Sequence, residues 1–231
     1  IWNAARFCEM NECKPVDTFD PAKVTQPLNK WIVGKVVECE RRTREAIEAY
    51  RFNDIATSIY QFTWGTYCDW YLELVKPVLQ GDDAAAKEET RATAAWALDQ
   101  ILMLAHPVIP FVTEELWQSI SSARGQRLIE TAWPVYDDAL IDSAVNAEID
   151  WVVRLITQIR QVRSEMNVPL LASLPLDMGV GPAADRGEPI LVSEPGGDQA
   201  RRFHELAATV RKLVEKSDDV SNASQFSEFF S

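Results

Sequence analysis

The 231 residues carry 23 basic and 35 acidic side chains, a formal net charge of −12, and 47% of them are hydrophobic. That length suits one large domain or two small ones, and the apolar share is that of a soluble globular protein. The acidic balance argues against a surface that attracts nucleic acid all over, and no apolar run approaches the ~20 residues that a membrane-spanning helix needs.

The acidity is concentrated in the middle third. Residues 1–80 hold a net charge of −1, residues 81–150 a net of −9 and residues 151–231 a net of −2. A basic patch on helices from either end is compatible with that total. Cys8, Cys13, Cys39 and Cys68 form no CxxC pair, and His106 and His204 are the two histidines, so no zinc ligand set and no metal site is expected. With no basic-then-apolar leader, the thiols are expected to be reduced and mostly buried in a cytoplasmic protein. The first residue is Ile1, and IWNAARF already has the pattern of a helix interior. The chain is therefore expected to be a piece of a longer protein.

In chain order, residues 1–13 predict a short helix ended by Lys14-Pro15, and a loop with Pro15, Pro21 and Pro27 follows. A second helix is predicted from about Asn29 to Tyr50, with Ile32, Val36, Cys39, Thr43, Ala46 and Tyr50 as its buried stripe. The stretch Phe52 to Leu79 predicts one long helix at the centre of the bundle, with Asn53 a candidate N-cap. Its Tyr60, Trp64, Tyr67, Tyr71, Leu74 and Val78 alternate four- and three-residue spacings and are expected to be buried. Gly81-Asp82-Asp83 closes it and opens a helix of about Ala84 to Ala105, with Ala94, Leu98, Ile101, Leu102 and Ala105 on one stripe. Phe111 to Ile120 predicts a short helix, and Pro134 holds Trp133 extended.

A bridging helix is expected from about Ala144 to Met166, with Val152, Leu155, Ile159, Val162 and Met166 as its apolar stripe. Beyond Pro169, residues 170–180 and 189–192 suit two strands, followed by a helix of about Gln199 to Glu215 and a polar tail. The fold class that follows is mainly α. Residues 1–143 read as an antiparallel bundle of about five helices, and residues 144–231 as the bridging helix plus a small appended α/β piece and tail.

No catalytic constellation stands out. There is no glycine-rich phosphate loop and no GxSxG, so no catalytic residue and no cofactor are assigned to this chain. Asp69 and Glu73 stand four residues apart and could serve as acid and base. A surface pair balanced by Lys76 is the preferred reading.

The segments WNAARF (2–7), RFNDIATSIYQFTWGTYCDWYLELVKP (51–77), LAHPVIPFVTEELW (104–117) and IRQVRSEMNVP (159–169) resemble the C-terminal region of bacterial valyl-tRNA synthetases. HPxxPFxTEELW is similar to segments shared by the related class I enzymes for valine, isoleucine and leucine, while WNAARF, CDWYLE and RxxRxEMNVP point to the valyl group. The resemblance covers about residues 1–175. It implies a helical bundle that binds the anticodon stem-loop of tRNA(Val), within a parent that ligates valine to its tRNA using ATP and Mg in a separate catalytic domain. The HIGH and KMSKS signatures are absent from this sequence, and there is no room for an editing domain. The implied partners are tRNA(Val) and the catalytic and editing domains in cis, with a monomer expected. A protein-interaction bundle without a nucleic-acid role is the alternative that net charge favours, and the same domain of an isoleucyl or leucyl enzyme is a narrower one.

For tRNA contact, Asn3, Arg6 and Phe7 share a face of the first helix: an amide, a guanidinium and a ring, which suit an unstacked base. Lys35, Arg41, Arg42 and Arg44 are candidate backbone contacts on the second helix, since phosphates need local cations rather than a basic whole. Arg160, Arg163 and Asn167 form a third set. Its arginines could equally pin the bridging helix to the acidic bundle through Glu165 or Asp69.

Overall fold

The computed structural model describes residues 1–121, 124–166 and 190–219, and among these the regular elements are helical. They are α1 (Trp2–Met10), α2 (Pro27–Glu48), α3 (Phe52–Phe62), a π-helical segment (Thr63–Tyr71), α4 (Leu72–Leu74), α5 (Lys76–Gln80), α6 (Ala84–Ala105), α7 (Pro110–Ile120), α8 (Ser143–Glu165), α9 (Ile190–Ser193) and α10 (Asp198–Asp219), with short 3-10 turns at Pro21–Lys23, Leu128–Glu130 and Asp138–Leu140. The chain divides into two compact units, residues 1–158 and 159–231. The first is the helical bundle: α2 packs on α3 and α6, α6 on α5 and α7, and α1 lies against α6 and α7.

Sequence chemistry sets the helix ends. Pro27 opens α2, where its missing N–H costs nothing. The exposed amides there are met from another helix. The Glu89 carboxylate of α6 accepts from Thr25 N (3.0 Å), Thr25 Oγ1 (2.6 Å), Gln26 N (2.9 Å) and Asn29 Nδ2 (2.9 Å). At its other end α2 stops in a Schellman turn: Arg51 N donates to Ala46 O (2.8 Å) and Tyr50 N to Ile47 O (3.0 Å), with Tyr50 left-handed at φ 55. Tyr50 is therefore 80% exposed and does not close the buried stripe as expected, whereas Ile32, Val36, Cys39, Thr43 and Ala46 are all buried. Asp83 caps α6 through Ala85 N and Ala86 N, both 3.0 Å.

The central helix is not one regular α-helix. Ile59, Thr63, Tyr67, Tyr71, Val75 and Leu79 are all buried, a row with a strict four-residue step. An α-helix of ~3.6 residues per turn drifts away from such a row. The wider π winding over Thr63–Tyr71 absorbs the surplus and keeps the row facing inward. Tyr67 and Tyr71 are fully buried, as the spacing predicts; Tyr60 and Trp64, expected in the same stripe, are 66% and 50% exposed instead. The break after Leu74 falls where Pro77 cannot donate to the carbonyl four residues back. Asn53 does not cap the helix, which starts one residue earlier at Phe52.

The first half of α8 packs on the bundle through Val145, Ile149 and Val153. Gly34 makes room there: a Cβ at that position would meet the Asn146 amide at 3.0 Å. Asp150 accepts from Trp31 Nε1 (2.9 Å) and Lys35 Nζ (2.8 Å). The stripe expected to be buried further along α8 is open: Leu155, Ile159, Val162 and Met166 are 40%, 59%, 52% and 66% exposed. The expected α/β piece is not seen among the described residues. The first expected strand, 170–180, lies outside them. Much of the second coincides with α9, because a four-residue apolar run does not distinguish strand from helix by periodicity.

Candidate nucleic-acid interface

The expected cations of α2 have different fates. Lys35 bonds Asp150 at 2.8 Å and lies 3.5 Å from Glu38. Arg41 reaches Asp138 at 3.2 Å, and Arg44 holds the buried Glu40 carboxylate at 2.9 Å. Three of the four thus neutralise acidic groups of the bundle itself, two of them in the acidic middle third. Arg42 is exposed, and none of the ion pairs among the described residues engages it.

Arg42 and Lys35 stand seven residues apart on one face of α2 and line a cleft of about 250 Å³ between α2, the π-helical segment and the start of α8. Gln61, Gly65, Thr66 and Trp70 form the opposite wall, and Asp150 and Val153 close one side. Gly65 stands at an opening: a Cβ added there would meet nothing within 4 Å. The cleft presents a guanidinium, an ammonium held by carboxylates, an amide, a hydroxyl and a half-buried indole. Such a set can stack and hydrogen-bond an unpaired base while the guanidinium takes an adjoining phosphate. Cys39 also lines the cleft, and burial pushes its thiol up to about 12, so it is a neutral wall group and not a nucleophile.

The remaining expected residues lie elsewhere. Asn3 and Arg6 are exposed on α1, while the Phe7 ring packs partly buried against the core, so the three do not form one open face. None of them lines the cleft. Arg160 and Arg163 are exposed on α8, Arg160 with a partner of its own, and Asn167 lies outside the described residues. The preferred reading of Glu73 holds: Lys76 Nζ bonds its carboxylate at 2.6 Å. His106 Nδ1 sits 2.9 Å from Thr113 Oγ1, a bond that ties the end of α6 to α7. No group of His, Cys, Asp and Glu among the described residues could hold a metal ion.

Gln61, Gly65 and Thr66 are not among the residues expected from the sequence to meet tRNA. The signal for them was a glycine inside an apolar helical run, which calls for a packing or functional reason.

Residues 29–177 match the family described as the anticodon-binding domain of tRNA ligase. The chain is also 52% identical over 186 residues to the valine–tRNA ligase of Caulobacter vibrioides, covering 79% of this chain and 20% of that one. It is 46% identical over 202 residues to the valine–tRNA ligase of Bradyrhizobium diazoefficiens (73% of this chain, 21% of that one). With the valine–tRNA ligase of Ruegeria pomeroyi it shares 42% over 193 residues (81% and 19%). The chain spans about a fifth of the length of the curated relatives it matches. With the family match covering more than half of its residues, the chain belongs to the anticodon-binding domain family of tRNA ligases.

Proposed function

We propose that this chain is the module of a valine–tRNA ligase that grips the anticodon stem-loop of tRNA(Val). The catalytic part, with its ATP and Mg, lies elsewhere in the polypeptide, which works as a monomer in the cytoplasm. The observation that carries the reading is the cleft beside the π-helical segment. It joins the exposed Arg42 to base-sized space edged by Trp70, Gln61 and Thr66, with an unobstructed mouth at Gly65. π-Helical insertions recur at functional sites because they turn side chains out of the regular register. An anticodon base is single-stranded and can be splayed into such a cleft. Arg6 and Asn3 on α1, and Arg163 on α8, are proposed as outlying phosphate contacts.

The net charge of −12 makes the chain alone a weak binder. Its affinity for a tRNA(Val) transcript is expected to fall as salt rises, with a shallow slope set by few phosphate contacts. Gly65→Leu fills the cleft mouth without touching the core and is expected to reduce binding at least tenfold. Arg42→Ala is expected to weaken binding and flatten the salt slope by about one unit. A transcript with a changed anticodon should bind less tightly. If Gly65→Leu and the changed anticodon both bind like their parents, the cleft reads no base.

A further inference from the structure

Two aromatic residues that the sequence assigned to the core and the structure exposes lie together. Tyr60 and Trp64, with Ile59 and Thr63, form one wall of an apolar groove of about 380 Å³; Val108 and Ile109, from the turn between α6 and α7, form the other. Val108 and Ile109 are 47% and 39% exposed, and Phe111, next on the chain after Pro110, is 91% exposed. No charged side chain lines the groove. Two hydroxyl-bearing side chains do: the exposed Tyr60, and Thr63, whose hydroxyl is buried and has no hydrogen-bond partner among the described residues.

We propose that this groove is the docking surface for another part of the tRNA ligase polypeptide, which seats apolar side chains between Trp64 and Ile109 and brings a backbone amide or carbonyl to Thr63. The proposal rests on the reading of the chain as part of a valine–tRNA ligase. Its relatives are about five times as long, so most of such a protein lies outside these residues. A continuous apolar surface of this kind marks an interface rather than a solvated face. RNA is the poorer occupant. Sites that stack bases on aromatic rings also track the backbone with cations, and no Lys or Arg lines this groove. A small-molecule site would converge several polar groups, and among the side chains lining this groove only Thr63 and Tyr60 carry one. A peptide backbone supplies the one donor or acceptor that Thr63 lacks.

Hydrogen–deuterium exchange tests this directly, comparing the 231-residue chain with the full-length ligase that contains it. Amides of Ala56–Trp64 and Ala105–Val112 are expected to exchange at least tenfold more slowly in the full-length protein. Trp64→Asp should abolish that protection in the full-length protein while leaving the melting temperature of the chain alone nearly unchanged, because Trp64 is already half exposed there. Equal exchange in both wild-type proteins overturns the proposal. So does protection that arises in the chain alone when tRNA is added, which would make RNA the occupant. Concentration-dependent protection of the chain alone, lost in Trp64→Asp, would make a second copy the occupant and overturn it too. Gly65→Leu and Arg42→Ala report on the tRNA cleft separately, so the two readings fail independently.

Discussion

At the residue scale, two side chains show how much local geometry is worth. Tyr50 holds the left-handed position that ends α2, at φ 55, with its ring 80% exposed. Its Cβ works against that conformation and its ring gains little contact in return. Tyr50→Gly is therefore expected to stabilise the chain by about 1 kcal/mol, less the entropy that glycine returns to the unfolded state. Denaturant unfolding measures it, and a loss of stability would show that the ring packs more than its exposure implies. Asp99 tests electrostatics. It bonds Arg124 at 2.6 Å, and Arg124 in turn lies 3.7 Å above the Trp117 ring. Burial nevertheless pushes the Asp99 carboxyl up to about 6, outweighing the pull of Arg124. A carboxyl raised above its unfolded value binds a proton more readily in the folded state. Its contribution thus falls as pH rises from about 4 to 6 and is level beyond, by roughly 3 kcal/mol in total. Asp99→Asn should remove that downward slope, which then appears in the difference between the wild-type and variant stability–pH curves.

At the element scale, the joint between α2 and α6 rests on one carboxylate. Burial alone would raise Glu89, but hydrogen bonds from Thr25, Asn29 and Gln26 outweigh it and hold the group below its usual range. It serves as an N-terminal cap supplied from another helix. Its stabilisation is present at neutral pH and is lost as pH falls through that depressed value. Glu89→Ala is expected to cost about 1–2 kcal/mol at neutral pH and progressively less in acid, measured by unfolding at several pH values. The π-helical segment is the other joint. Tyr67 donates to Ala94 O at 2.9 Å and Tyr71 to Asn29 Oδ1 at 2.9 Å, so the four-residue row ties the segment to both α6 and α2. Tyr71→Phe leaves the buried Asn29 carbonyl without that donor and is expected to cost about 1–3 kcal/mol.

At the scale of the whole molecule, charge decides where RNA can sit. Most cations of α2 answer carboxylates brought in from residues 138–150, so the basic patch expected there narrows to Arg42 and the cleft below it. Charge reversal of a paired arginine and of Arg42 should therefore differ in kind. Arg44→Glu leaves the buried Glu40 without its cationic partner and is expected to lower the melting temperature. Arg42→Glu is expected to leave the melting curve almost unchanged and to remove tRNA binding. Thermal unfolding and a binding titration on the same two proteins separate the effects.

Much of the helical pattern was legible in advance. The sequence alone placed α6 at Ala84–Ala105, set α2 within two residues of its observed ends and picked out its inward stripe through Ala46. Motifs at fixed spacing carried the resemblance to valyl enzymes. These are short-range properties: capping residues, prolines and periodic apolar positions act within a few turns of the chain. Which winding the central helix takes, and hence whether Tyr60 and Trp64 face in or out, was decided by tertiary structure, because the row that wins is the one that fits α2 and α6. The same holds for the site. Arg41 and Asp138 are 97 residues apart and Lys35 and Asp150 are 115 apart. No local pattern announces which cation such a distant carboxylate will claim, and the cation left over is the one available to a ligand.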